Sequence, residues 1–236
     1  MNMLHWLRIT LALPLCALLI GCATTPEPSE PPAEPAEWPP FAQPQSDENV
    51  FRVDSSASEV LVRVDPEGPM ARMGHSHVVG GPVLSGIVVT GSGIGDARLD
   101  LKIDAAAIEV DRPQWRRAQG LKPELDADAI NGTRDNLRSE RVLNVADHPA
   151  VSIRSVAVTG PDWIPTVTAR IRLRGEVREV AVPVAVTRSG HTIQAIGQFE
   201  VLQSDFGIEP FSAAGGALRV SDRMQIRFRI VARNRS

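Results

Sequence analysis

Two histidines one residue apart, His75 and His77 in the stretch RMGHSHVVGG, are the residues whose type and spacing best suit chemistry. On an extended strand they would project from one face with Cα atoms ~6.6 Å apart, at ~3.3 Å per residue, close enough to grip one metal ion. Zinc and iron usually take a third ligand, whereas copper or nickel accept fewer. The other histidines of the mature chain, His148 and His191, have no spacing that ties them to the pair. Gly74, Gly80 and Gly81 equally permit a turn or bulge, in which the two rings need not share a face. Three readings stay open: a metal site, a structural role, and a hydrogen bond to a polar head group at the mouth of a barrel.

Other chemical motifs are weaker. GSGIGD at 91–96 imitates a dinucleotide loop but joins two strand patterns, where that fingerprint must open a helix. Asp205-Phe206-Gly207 imitates a kinase magnesium motif without the phosphate and catalytic loops that accompany it. Both read as turns. Asp54, Asp65 and Asp104 fall near strand ends, where carboxylates are ordinary, and no nucleophile elbow is present.

The amino terminus sets the expected compartment. One basic residue, Arg8, precedes an apolar run from Ile9 to Ile20, too short for a bilayer span of ~20 residues but suited to a secretory signal. The run ends in Leu19-Ile20-Gly21-Cys22, which resembles the lipobox of bacterial lipoproteins. That resemblance implies a signal peptide over 1–21 and acylation of Cys22. Cys16 is the rival, but Leu15 before it is too bulky for the pattern. With Cys16 removed and Cys22 lipidated, the folded part has no thiol, which excludes a disulfide framework, a zinc knuckle and a thiol nucleophile. Two acyl chains already give stable anchoring. Ala23, in place of an aspartate, implies the periplasmic face of the outer membrane in a two-membrane host.

Residues 22–49 read as a tether, rich in Pro and Glu, without Lys or Arg, and too poor in apolar residues to fold. Extended at ~3.1 Å per residue, it could hold a domain several tens of Å from the bilayer. Its large apolar groups, Trp38 and Phe41, either dock on the domain or do nothing, and the second is the expectation. Residues 50–236, about 187 in number, fit one domain with a sizeable core. Removing Arg8 and the six acids of the tether from 25 Lys+Arg and 28 Asp+Glu leaves 24 against 22, a balance without a nucleic-acid footprint.

Period-two alternation runs through this domain. Leu99, Leu101 and Ile103 oppose Arg98, Asp100, Lys102 and Asp104. Val167, Ala169, Ile171 and Leu173 oppose Arg170, Arg172 and Arg174, and Met224, Ile226, Phe228 and Ile230 oppose Arg223, Gln225, Arg227 and Arg229. Less regular strands fit 60–64, 83–89, 151–158, 180–186 and 191–201. These make about eight one-sided strands, whereas strands buried on both faces would read as continuous apolar runs. The expected fold is all-β: an antiparallel eight-stranded, lipocalin-like barrel able to hold one small ligand. A polar stretch over 111–149, with Leu125, Ala129, Thr133 and Leu137 at helical spacing, predicts one or two short helices inserted between strands and covering one end.

The succession FRVDSSASEV, GHSHVVGGPVLSGIV, LDLKIDAAAIEVD, LRSERVLNVADHPAVSIRS, LRGEVREVAVPVAV, SDFGIEPFS and VSDRMQIRFRIVA is similar to the YceI-like proteins across nearly all of 51–232. The resemblance implies a secreted barrel that holds a polyisoprenoid or similar long-chain amphiphile without catalysis and without a cofactor. The partner so implied is an isoprenoid-type lipid or a quinone-like molecule, and a homodimer stays open. This chain departs from the usual members in its tethered start and in its second histidine.

The candidate lining is the inward set: Leu99, Leu101, Ile103, Val167, Ile171, Leu173, Phe199, Ile226 and Phe228, with His75 and His77 as polar members. A prenyl chain of about forty carbons gains ~0.8 kcal/mol per buried methylene, beyond the roughly 20 kcal/mol at which affinities saturate. Apolar burial therefore suffices to retain such a guest. Two alternatives remain: the inward side chains fill the interior with one another, or the chain is a periplasmic metal-binding protein or metal-dependent enzyme using His75 and His77.

Overall fold

The computed structural model describes residues 38–234. In chain order its main elements are β1 (Asn49–Val53), β2 (Glu59–Val64), β3 (Pro66–Glu67), β4 (His77–Gly81), β5 (Leu84–Thr90), β6 (Arg98–Asp104), β7 (Glu109–Val110), α1 (Pro113–Ala118), α2 (Ala127–Arg138), β8 (Ala150–Thr159), β9 (Thr166–Leu173), β10 (Glu176–Ser189), β11 (Thr192–Leu202), β12 (Ser212–Ala213), β13 (Leu218–Val220) and β14 (Arg223–Arg233).

Alternating residues put one face of each long strand inward, and the strands bury that face by closing into a ring. Hydrogen-bonded neighbours run β1, β5, β6, β8, β9, β10, β11, β14, and β14 returns to β1 through Arg52↔Arg233 and Val53↔Ala232. Every pairing is antiparallel, so the domain is the expected eight-stranded barrel. Closure leaves its principal strands no free edge for another chain to pair with.

Three of the eight staves are broken, that of β6 being continued by β7 alongside β4. β2 continues the stave of β1 along β14, with Glu59 opposite Arg229 and Arg63 opposite Gln225, and β4 continues that of β5 alongside β2. The first break is a 3-10 turn over Ser55–Ala57, capped by the Asp54 carboxylate, which accepts from the Ala57 amide. Just beyond it, the buried Ser58 hydroxyl bridges to the Val231 backbone. Gly80 marks where the broken staves press closest. Its φ is +146°, and a Cβ there would lie 1.9 Å from the Val60 carbonyl oxygen, so no larger residue fits without moving the ladder.

The helices both lie in the long connection between β6 and β8. Pro113 occupies the first turn of α1, where its missing N–H costs nothing, and α2 begins at an Asp126 cap whose carboxylate accepts from the Asp128 amide. Thr133 and Leu137 of α2 face the barrel interior together with Ala129, at the spacing of successive helical turns. Helix α2 and the small sheet β12-β13-β3 cover the end of the barrel at which β6 finishes and β8 begins. GSGIGD is the turn between β5 and β6, tied by the Asp96 carboxylate accepting from Gly93 N and Ser92 Oγ. The Asp205-Phe206-Gly207 stretch is a 3-10 turn ending on Gly207 at φ +66°, with Phe206 buried beneath it.

The segment ahead of β1 differs from expectation. Trp38 and Phe41 are not idle: they lie on the outer wall of the barrel over three arginines, of which alternation marks Arg98 and Arg172 only as solvent-facing. Trp38 stacks on Arg172 at 4.3 Å and on Arg154 at 5.1 Å, and Phe41 sits over Arg154 and Arg98 at 5.5 and 5.7 Å. The backbone joins in, because Arg154 donates to the Pro39 carbonyl and Arg98 to those of Ala42 and Gln43. Arg98 also makes a two-pronged ion pair with Glu48 at 2.6 and 2.7 Å. Cation–π stacking of several arginines against flat rings gives this proline-rich stretch the partners its own composition lacks.

Candidate functional site

Inward side chains from the eight staves surround a cavity of about 640 Å³ instead of filling the interior, a size typical of small-molecule sites. Leu99, Leu101 and Ile103 come from β6, Val167, Ile171 and Leu173 from β9, Phe199 from β11, and Ile226 and Phe228 from β14. All nine line the same space. Phe199 and Phe228, on the neighbouring strands β11 and β14, meet edge to face on its wall, with ring centroids 6.3 Å apart. Gly197 leaves room for this, since a Cβ there would strike the Phe228 ring at 2.4 Å.

Packing divides the lining by depth. Val158, Val167, Ala169, Val182 and Val184 form one buried group beneath the turns from β5 to β6 and from β8 to β9. Ile171, Phe206 and Ile208 form another toward the end covered by α2. Between them lie Val60, Leu84, Leu101 and Ile226. Long side chains of this kind give a guest many weak contacts and no directional ones. The end opposite α2 carries no α-helix in its connections, and Trp163 at the tip of the turn from β8 to β9 is 67% exposed.

At the covered end His75 and His77 both line the cavity, and Thr90, Arg98 and Arg188 line it toward the other end. His77 opens β4 and His75 precedes it, so only one of them lies on a strand; their rings meet edge to face at 6.4 Å. His77 Nδ1 is 2.6 Å from Oδ2 of Asp111. The other oxygen, Oδ1, accepts from the Val78 amide at 2.9 Å and from Arg116 Nη1 at 2.8 Å. Arg116 is itself buried and donates to the carbonyls of Ser76 and Lys122. Burial pushes the Asp111 carboxyl up, yet the His77 hydrogen bond, the Val78 amide and Arg116 together outweigh it and hold the group below the usual carboxylate range.

Asp111 and Arg116 are the residues that sequence reasoning missed. Asp111 stands at φ +54°, a left-handed conformation that aspartate tolerates better than most residues. Its only signal in the sequence is the Asp-Arg-Pro that opens α1. His148 and His191 lie apart from this corner, and no group of three His, Cys, Asp or Glu residues with metal-ligand spacing occurs among the described residues. Cys22 lies outside the described residues.

A family model described as YceI-like domain matches residues 51–232. Among solved structures, BcnA of Burkholderia cenocepacia is similar with a TM-score of 0.57 and 18% identity, covering 76% of this chain and 98% of its own. The YCEI protein of Campylobacter jejuni aligns with a TM-score of 0.47 and 12% identity, over 65% of this chain and 82% of its own. The chain has no match among curated proteins. The likeness to BcnA is one of fold.

Proposed function

The chain belongs to the YceI-like family, and from that premise we propose that it is a membrane-tethered, non-catalytic carrier or scavenger of a polyisoprenoid or similar long-chain amphiphile. The observation that carries this reading is the cavity itself, about 640 Å³ in volume and lined almost wholly by aliphatic and phenyl side chains. Such a lining stabilises a long hydrocarbon at ~0.8 kcal/mol per buried methylene, with no need of a charged anchor. A carrier requires only this, together with a chain that keeps the barrel near its source of lipid. Acylation at Cys22 supplies that attachment, and a periplasmic position at the outer membrane follows from the same leader.

Full-length protein purified from a two-membrane bacterium and extracted with organic solvent should yield, by mass spectrometry, one long apolar molecule in near-equal proportion to protein. Extracts that hold no such molecule, from protein handled without detergent, would sink the carrier reading. Cys22→Ser should move the protein from the membrane fraction to the soluble periplasm. A variant that stays with the membrane would show that the anchor lies elsewhere.

A further inference from the structure

The His77–Asp111 pair is built with more constraint than packing needs. A carboxylate 0% exposed is held at a left-handed backbone position, and its two oxygens point to an imidazole, an amide and a guanidinium. Left-handed geometry at a buried residue persists only where the surroundings over-determine it, and such positions cluster at ligand sites. Asp111 does not line the cavity, whereas His77 does. With Nδ1 engaged by Asp111 and the ring part of the lining, the edge that carries Nε2 is the one left for a guest.

Asp111 is paired with Arg116 at 2.8 Å and with His77 Nδ1 at 2.6 Å. In the neutral ring, with Nδ1–H donating to the carboxylate, Nε2 is an acceptor. Nothing among the described residues donates to it. An acceptor in an apolar chamber favours a guest whose head donates a hydrogen, of which a hydroxyl is the smallest uncharged form, because a head without a donor leaves Nε2 unpaired.

We propose that His77, held by Asp111 as a positioning residue, is the head-group site for long-chain alcohols, accepting the hydroxyl hydrogen at Nε2. This rests on the cavity being a lipid site and adds a polarity to it. The head lies beneath α2, and the tail runs past Phe199 and Phe228 toward the opposite end.

Competition within one tube tests it. Full-length protein stripped of endogenous lipid is equilibrated at about pH 8, above the ordinary imidazole range, with equal amounts of geranylgeraniol and its O-methyl ether. The bound fraction is then extracted and quantified by mass spectrometry. The alcohol should exceed the ether about tenfold, the worth of one buried hydrogen bond. In His77→Phe the ratio should fall to about one, with total uptake retained. Asp111→Asn, whose amide N–H would donate to Nδ1 and so make Nε2 a donor that an ether oxygen satisfies as well as a hydroxyl does, should lower the ratio in the protein that remains folded. Equal binding of both probes by the unmodified protein overturns the head-group site and leaves the lipid cavity standing, even if neither variant folds. Discrimination that survives in His77→Phe also overturns it, and failure to take up either probe removes the carrier reading as well.

Discussion

Ala169→Trp is expected to empty the barrel of its guest while leaving the barrel standing. Ala169 points inward from β9, is 4% exposed, and sits among Val158, Val167, Val182 and Val184 where the lining is narrowly aliphatic. An indole grown from that position must occupy volume that a hydrocarbon chain would otherwise take. Inserting bulk into a tight core costs about 1–3 kcal/mol, but here the new ring enters a void, so the penalty should fall at the low end. Lipid recovered per mole of protein should drop at least tenfold, with the melting temperature changed by only a few degrees. Undiminished lipid in a folded Ala169→Trp protein would mean that the guest sits somewhere else.

Asp111→Ala should produce the largest loss of stability of any single change at the site, about 3–5 kcal/mol, since it leaves a buried cation without its partner. The Arg116 side chain is only 4% exposed and would keep its two carbonyl contacts but no counter-charge. The acid limb of the stability profile should change with it. A carboxyl whose folded pKa is lowered contributes stability that is fully present above its unfolded value, ~3.9, and is lost as pH falls through the folded value. Asp111 is such a group. Urea unfolding at neutral pH and again near pH 3 should therefore show the gap between wild type and Asp111→Ala narrowing at the acidic end. A gap of constant size at both would show that the carboxylate charge does not act as described.

Much of the barrel was legible because a period of two is a physical statement about which side of a strand meets water. β6 and β9 obey it over their whole length and β14 as far as Ile230, and their inward residues are the ones around the cavity. Where the pattern faltered, the chain bends. A bulge between Ser155 and Ala157 shifts the register of β8 and leaves Val156 exposed. The stave formed by β4 and β5 turns at glycines that carry no side chain to signal a face. Helical spacing through Ala129, Thr133 and Leu137 found α2, since it repeats within a dozen residues.

What could not be read are the contacts made by distant residues. His77 and Asp111 are 34 positions apart, and they meet only because α1 opens on a backbone turn that puts the carboxylate behind β4. Trp38 and Phe41 belong to a stretch whose composition argues against order, and their partners Arg98, Arg154 and Arg172 lie on strands far along the chain. Periodicity says that Arg98 and Arg172 face outward. It does not say what lies on top of them.

That outer clasp also has a mechanical meaning. β1 is held by four residue pairs to β5 and two to β14, few enough that a tug on its leading end could unzip it. Any force arriving from the amino-terminal side must first peel two aromatic rings and the Glu48 ion pair from the flank. The wall absorbs the load as a cable grip does, and the stave behind it is spared.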